Sequence, residues 1–231
     1  MTQMVSNPYT GIYDLSEAAQ ILMVSRAANE LYPVDSRKLI RWIRKGLVDR
    51  ELMPVPGRDL LVSFEDLISF RVIAALRSAG IDFHAIYESE SWLRGQTGHA
   101  RPFAKEALWT EGSNVFVEFA AKLIAASRSG QLAMEFLRRW LIPIHGLAFD
   151  DEGVANEWEP ADGVVLAPDV QLGSPCISGT AIPTSSVWGL ITGGDSKDFV
   201  MRSYQLSEQE LHIAVDWETR LRAGTRASVP D

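Results

Sequence analysis

The sequence predicts an α+β fold, mainly helical, in three parts: a basic helical N-terminal part, a small central antiparallel sheet and a C-terminal module of three short helices. Three features carry the prediction. Arg37, Lys38, Arg41, Arg44 and Lys45 crowd one short helical stretch with no acid between Ser36 and Val48. Two turn-forming runs, Glu111-Gly112-Ser113-Asn114 and Asp150-Asp151-Glu152-Gly153, each lie between short apolar stretches. Finally, the dense glycines and prolines from Gly173 to Pro183 fix an irregular backbone just before three closely spaced helical patterns.

The elements follow in order. Ser16 is a good N-cap for a first helix whose apolar positions are Ala18, Ala19, Ile21 and Leu22. After a ten-residue connection from Ser25 to Val34, Asp35 or Ser36 can cap a second helix that runs to about Lys45 and stops at Gly46. Leu39, Ile43 and Leu47 form its apolar stripe, and the five cations take the other side. Two extended runs around Pro54 to Leu61 can make a turn and wing carrying Arg58, and Ser63 then caps a helix built on Phe64, Leu67, Ile68, Val72 and Leu76. Gly80 ends it, and Ile81-Asp82-Phe83 opens another helix to about Arg94.

Gln96 to Arg101 reads as a polar hinge. Beyond it, Ala107 to Trp109 with Val115 to Phe119, and Ile144 to Phe149 with Val154 to Trp158, read as two hairpins around a helix from Gln131 to Leu141. The last module holds helices at about Ser185 to Ile191, Lys197 to Tyr204 and Glu208 to Leu221. Ser207 and Glu210 form a capping box for the third. Its expected core includes Val187, Leu190, Ile191, Phe199, Val200, Tyr204, Leu206, Leu211, Ile213, Ala214 and Trp217.

The chain has 231 residues and a formal charge of -8, unevenly spread. Residues 1–106 carry 13 Lys/Arg against 13 Asp/Glu, and residues 107–231 carry 9 against 17, so the acidic excess belongs to the second half. The two halves are expected to meet different partners. No apolar run approaches the roughly 20 residues that span a bilayer, and Met1 to Asn7 has neither a basic start nor an apolar signal core, which places the chain in the cytoplasm and away from membranes. The single Cys176 cannot form an internal disulfide.

Helix, basic helix, wing and two further helices is the order of a winged helix-turn-helix. The phrases Glu17-Ala18-Ala19 and Arg41-Trp42-Ile43-Arg44-Lys45-Gly46-Leu47-Val48 resemble the opening of the MerR family. The run from Gly173 to Thr184, followed by Gly194-Asp195-Ser196, Tyr204-Gln205-Leu206-Ser207 and Trp217-Glu218, resembles the small helix-turn-helix domain of unknown function 433 found in VapB-type antitoxins. In that module an Arg commonly precedes the Ile-Pro pair; here the position is Ala181. The resemblance implies a winged helix-turn-helix at 1–95, a linking or dimerising sheet at 96–168 and an antitoxin-type module at 169–231.

Function follows from this division. The resemblance implies a type II antitoxin that binds operator DNA, represses its own operon and neutralises a PIN-domain ribonuclease toxin; a homodimer is expected because one short recognition helix makes too little specific contact and operators are usually paired half-sites. The DNA surface would comprise Ser36, Arg37, Lys38, Arg41, Trp42, Arg44, Lys45 and Arg58, with Trp42 reaching a backbone or base. The partner surface would comprise Val187, Trp188, Glu208, Glu210, Asp216, Trp217 and Glu218, because phosphates would repel so acidic a helix. Dimer contacts would come from the hairpins and from Ile81 to Leu93. A chain cut near Pro168 would keep its DNA binding. The alternative is a MerR-like regulator answering to a small ligand in the middle region.

Chemistry has little support. Cys176, between Pro175 and Ile177, could serve a cysteine hydrolase with His84, His99, His145 or His212 as base, but the setting is apolar. The histidines are scattered without metal-ligand spacing, and Gly193-Gly194-Asp195 reads as a helix stop and the next helix's cap, without the strand and glycine pattern of a phosphate loop. No catalytic residue, metal or cofactor is expected.

Overall fold

A computed structural model describes residues 11–25, 32–48, 60–109, 118–122 and 146–226. The wing with Arg58, the turn at Glu111 to Asn114, the helix expected at Gln131 to Leu141 and His145 lie outside them.

Strand β1 (Tyr13–Asp14) leads directly into α1 (Leu15–Val24). Asp14, not Ser16, is the N-cap: its Oδ1 accepts the amides of Ser16 and Glu17, both at 2.8 Å. The earlier start adds Leu15 to the buried face of Ala18, Ala19, Ile21 and Leu22. Helix α2 (Ser36–Arg44) is capped by Asp35, whose Oδ1 accepts the Lys38 amide at 2.7 Å. It buries Leu39, Trp42 and Ile43 and ends at Gly46, whose φ of +74° a side chain would resist.

Strand β2 (Leu61–Val62) pairs antiparallel with β1, Tyr13 opposite Val62 and Asp14 opposite Leu61. It delivers the chain to α3 (Phe64–Ser78), where Ser63 and Asp66 close a reciprocal capping box. Helix α3 is buried all round, on Phe64, Leu67, Ile68, Phe70, Val72, Ile73 and Leu76, and serves as the central helix of the core. Helix α4 (Phe83–Thr97), capped by Asp82, runs three residues past the expected end and stops on left-handed Gly98. The supposed hinge is therefore partly helix. Its remainder is tied down by Arg101, whose Nε donates to buried Asp66 at 2.9 Å. The first hairpin is not formed on its expected residues: Glu106–Trp109 is a helical turn, α5, and residues 118–122 are helical. The helical backbone lets Leu108 bury fully while Trp109 Nε1 donates to the Phe103 carbonyl at 3.1 Å.

The second hairpin is present, as β3 (Leu147–Phe149) and β4 (Ala155–Ala161), and it belongs to a larger sheet. Strands β5 (Val164–Leu166) and β6 (Cys176–Ile177) extend it to the antiparallel order β3-β4-β5-β6. Leu147 pairs with Trp158, Trp158 with Leu166, and Val164 with Ile177. The sheet thus runs into the C-terminal helices, α6 (Thr184–Gly193), α7 (Lys197–Tyr204) and α8 (Glu208–Arg226). Ser196, one residue past the expected Asp195, caps α7, and Ser207 with Glu210 caps α8.

Helix α8 serves two cores. One side closes a small cluster of Ile177, Val187, Val200, Leu206, Leu211 and Ala214. Trp217 instead enters the large core shared by α1 to α4 and the sheet, with Ile213 and Leu221 packed against it. Phe199, expected inside the small core, is 51% exposed, because α7 turns its neighbour Val200 inward.

Helix α1 consequently lies against both α2 and α8. Hydrogen bonds fasten the same junction: Ile12 N to Leu172 O at 3.2 Å, Tyr13 Oη to Gly173 O at 2.8 Å, and Arg220 Nη1 to Val24 O at 3.4 Å. Gln171 and Leu172 are left-handed here, with φ of 49° and 56°, and Gly173 follows at +85°. A Cβ on Gly173 would collide with the Tyr13 phenol. Gly173→Ala is therefore expected to cost about 2 kcal/mol, read as a fall in the urea midpoint; a midpoint equal to wild type would mean that the junction tolerates the collision.

Candidate nucleic-acid interface

The outward side of α2 carries Arg37, Arg41 and Arg44, all exposed and three to four residues apart, so they form one stripe along the helix. Lys38 and Lys45 lie beside the stripe and are held. The Lys38 Nζ donates to the Pro33 carbonyl at 2.6 Å and lies 4.9 Å from the centroid of the Tyr32 ring. The Lys45 Nζ lies 4.8 Å from the centroid of Phe83. Ser36, the first residue of α2, is half-buried.

Trp42 corrects the sequence reading. It is 1% exposed and rests between Phe70 and Phe83, with ring centroids 6.3 and 6.2 Å away. Burying so large a ring anchors α2 on α3 and α4, and no part of it is free to meet a base.

None of these five cations pairs with a carboxylate among the described residues. Four arginines elsewhere are matched: Arg94 with Glu90 at 2.7 Å, Arg101 with Asp66 at 2.9 Å, Arg220 with Asp216 at 3.0 Å and Arg222 with Glu218 at 3.2 Å. In a chain of net charge -8, α2 thus meets no compensating carboxylate among the described residues.

The expected partner surface is partly internal. Val187 and Trp217 are fully buried, and Glu218 is 2% exposed, its Oε1 accepting from Thr184 Oγ1 at 2.7 Å. Val187 and Glu218 hold α6 and α8 together, Trp217 fills the large core, and none of the three can form a contact surface. Glu208 and Asp216 remain exposed. Glu210 accepts from both the amide and the hydroxyl of Ser207, and those hydrogen bonds hold its carboxyl below the usual range. Trp188 is half-covered by the Arg222 guanidinium, 4.1 Å from its ring centroid. The expected dimer contacts are also largely consumed, since Ile81, Ala85, Ile86 and Leu93 in and just before α4 and Trp158 of the hairpin are buried within the chain. Apolar side chains that do reach the surface include Tyr87, Leu172 and Phe199.

One carboxylate at the α1–α8 junction is perturbed. Burial, then Asp14, and more weakly Glu218, push the Glu17 carboxyl up to about 7. A raised acid favours the protonated form in the folded state, so its contribution is full below about 4.5 and is lost as pH rises through 7. Glu17→Gln is therefore expected to stabilise the protein by about 1 kcal/mol at pH 8 and to change little at pH 4. Urea unfolding at both pH values checks this, and an equal effect at both would contradict it.

Cys176 is 1% exposed, and burial pushes its thiol up, so the reactive thiolate is disfavoured. His84 sits beside Glu88, His99 beside Glu65, and His212 beside Lys197. None is bonded to the thiol. Among the described residues no three metal-ligating side chains gather, and no helix is long and apolar enough to cross a membrane.

Residues 164–217 match the family described as "Protein of unknown function (DUF433)". The matched stretch opens at β5 and ends at Trp217, and so takes in two strands of the sheet, α6, α7 and the first part of α8. The chain is 26% identical over 227 residues to "Putative antitoxin VapB45" of Mycobacterium tuberculosis, covering 89% of this chain and 92% of that protein. Its fold is shared with the crystal structure of Rv2018 from Mycobacterium tuberculosis, at a TM-score of 0.65 and 23% identity, over 91% of this chain and 98% of that one.

Proposed function

We propose that this chain is an antitoxin-type transcription regulator, with α2 laid against operator DNA and the C-terminal module turned to a toxin. The carrying observation is the cationic face of α2: five cations on one short helix and its C-cap, three in a solvent-facing stripe, with no carboxylate neutralising them among the described residues of an acidic protein. Such a face attracts phosphates, and the stripe is narrow enough for a groove. The likeness to a protein named as an antitoxin supports the biological role. The division at 1–95, 96–168 and 169–231 is retained as a division of tasks, with PIN-domain ribonuclease as the toxin class, cytoplasm as the compartment and a homodimer as the DNA-bound state. The toxin-facing residues are then Trp188, Glu208, Glu210 and Asp216, joined by exposed Phe199.

The DNA upstream of the chain's own gene, as a labelled duplex, is the direct test. Saturable binding that weakens steeply with salt and exceeds binding to a scrambled duplex is expected. Equal affinity for both duplexes, or none for either, would contradict operator recognition. For the toxin, coexpression with a PIN-domain ribonuclease encoded beside the gene should restore growth. Continued arrest with both proteins soluble would remove the antitoxin role and leave a regulator alone.

A further inference from the structure

Cations and rings alternate along one flank of α2 through residues from four parts of the chain. Lys38 lies over Tyr32 at 4.9 Å, and Arg77 lies over the same ring at 5.5 Å. Arg77 also lies over Phe83 at 4.4 Å, and Lys45 lies over that ring at 4.8 Å. The resulting order is Lys38, Tyr32, Arg77, Phe83, Lys45. Tyr32 precedes α2, Arg77 lies in the last turn of α3 and Phe83 begins α4. Arg77 is fixed by its Nη1, which donates to the Ile81 carbonyl at 2.5 Å. Like Lys38 and Lys45, it has no carboxylate partner among the described residues.

We propose that Arg77, through Tyr32 and Phe83, positions Lys38 and Lys45 for the phosphate backbone of DNA, so that the contact surface extends off α2 onto the end of α3 and the start of α4. This rests on the DNA-binding reading above. Three like charges in one stack repel each other, an arrangement that an approaching polyanion relieves. Lys38 and Lys45 are seven residues apart, about 10 Å along a helix at 1.5 Å per residue, and so flank the Arg37, Arg41 and Arg44 stripe near both ends. A free lysine surrenders its rotamer freedom when a phosphate captures it, whereas one already resting on a ring has given it up during folding. Arg77 is thus a positioning residue, shared by the two rings that hold the two lysines.

The test uses the full-length chain, fluorescence anisotropy on the operator duplex and a salt series. Tyr32→Leu is expected to weaken binding about three- to tenfold and to flatten the log-log salt slope by roughly 0.9 for the lost phosphate contact. Tyr32→Phe, which keeps the ring, should bind as wild type. Lys38→Ala should match Tyr32→Leu, and combining the two should add nothing, because both remove the same contact. Arg77→Ala should lose more than either, with Arg77→Lys recovering part of the loss. The inference fails if Tyr32→Leu and Lys38→Ala losses add, if the slope stays that of wild type, or if Arg77→Ala and Tyr32→Leu bind normally while the Arg37, Arg41 and Arg44 variant does not. A wild-type chain that ignores DNA overturns both readings, and that outcome is distinct because no variant then changes anything.

Discussion

Replacing Arg37, Arg41 and Arg44 together by alanine is expected to lower operator affinity roughly 100- to 1,000-fold, with the fold intact. All three are exposed, and none contributes an ion pair among the described residues, so alanine removes charge without opening a cavity or stranding a partner. The salt slope should fall by up to about 2.7, at roughly 0.9 per phosphate contact; a smaller fall would assign part of the stripe to base edges. Anisotropy titrations from low to moderate salt, with circular dichroism as the folding control, decide it. Wild-type affinity in the triple variant would move the DNA surface away from α2.

A chain ended after Pro168 is expected to lose cooperative folding, contrary to the detachable module that the sequence alone suggests. The cut removes Trp217 from the large core, together with the Ile213 and Leu221 packing, the Gly173 carbonyl that Tyr13 bonds and the β6 edge of the sheet. Loss of a buried tryptophan alone costs about 3–5 kcal/mol, a large share of the 5–15 kcal/mol typical of a whole domain. The single variant Trp217→Ala isolates the main term and should lower unfolding free energy by about that 3–5 kcal/mol. A sharp urea transition in the truncated chain, together with operator binding, would show that residues 1–168 fold alone.

The sequence made the local signals legible. Asp35 before α2, Ser63 before α3, Gly46 and Gly80 after them, and the Ser207–Glu210 box all act as their chemistry requires. The basic stripe of α2 was visible as single-signed charge on helical spacing. Long-range choices were not. Trp42 and Trp217 look alike on paper whether they face solvent or core, and only the packing of Phe70, Phe83 and α1 sends them inward. Glu218 sits in an acidic run, so nothing local says that Thr184 will bury it. Strand β5 does have a local signal: Asp162-Gly163 between Ala161 and Val164 is a strong hairpin dipeptide. The aromatic stack on α2 draws Tyr32, Arg77 and Phe83 from separate elements and has no sequence signature.

The clasp of α1 between α2 and α8 also sets a timetable for the newborn protein. Tyr13 meets Gly173 across 160 positions, and Val24 meets Arg220 across 196. Contacts of such separation form late and slow the search for the native topology. At about 5–20 residues per second, the ribosome needs roughly 10–40 s after making α1 before α8 exists to receive it. Throughout that interval the basic helix is on a chain that cannot yet complete its core, and its final support appears only when the last helix arrives.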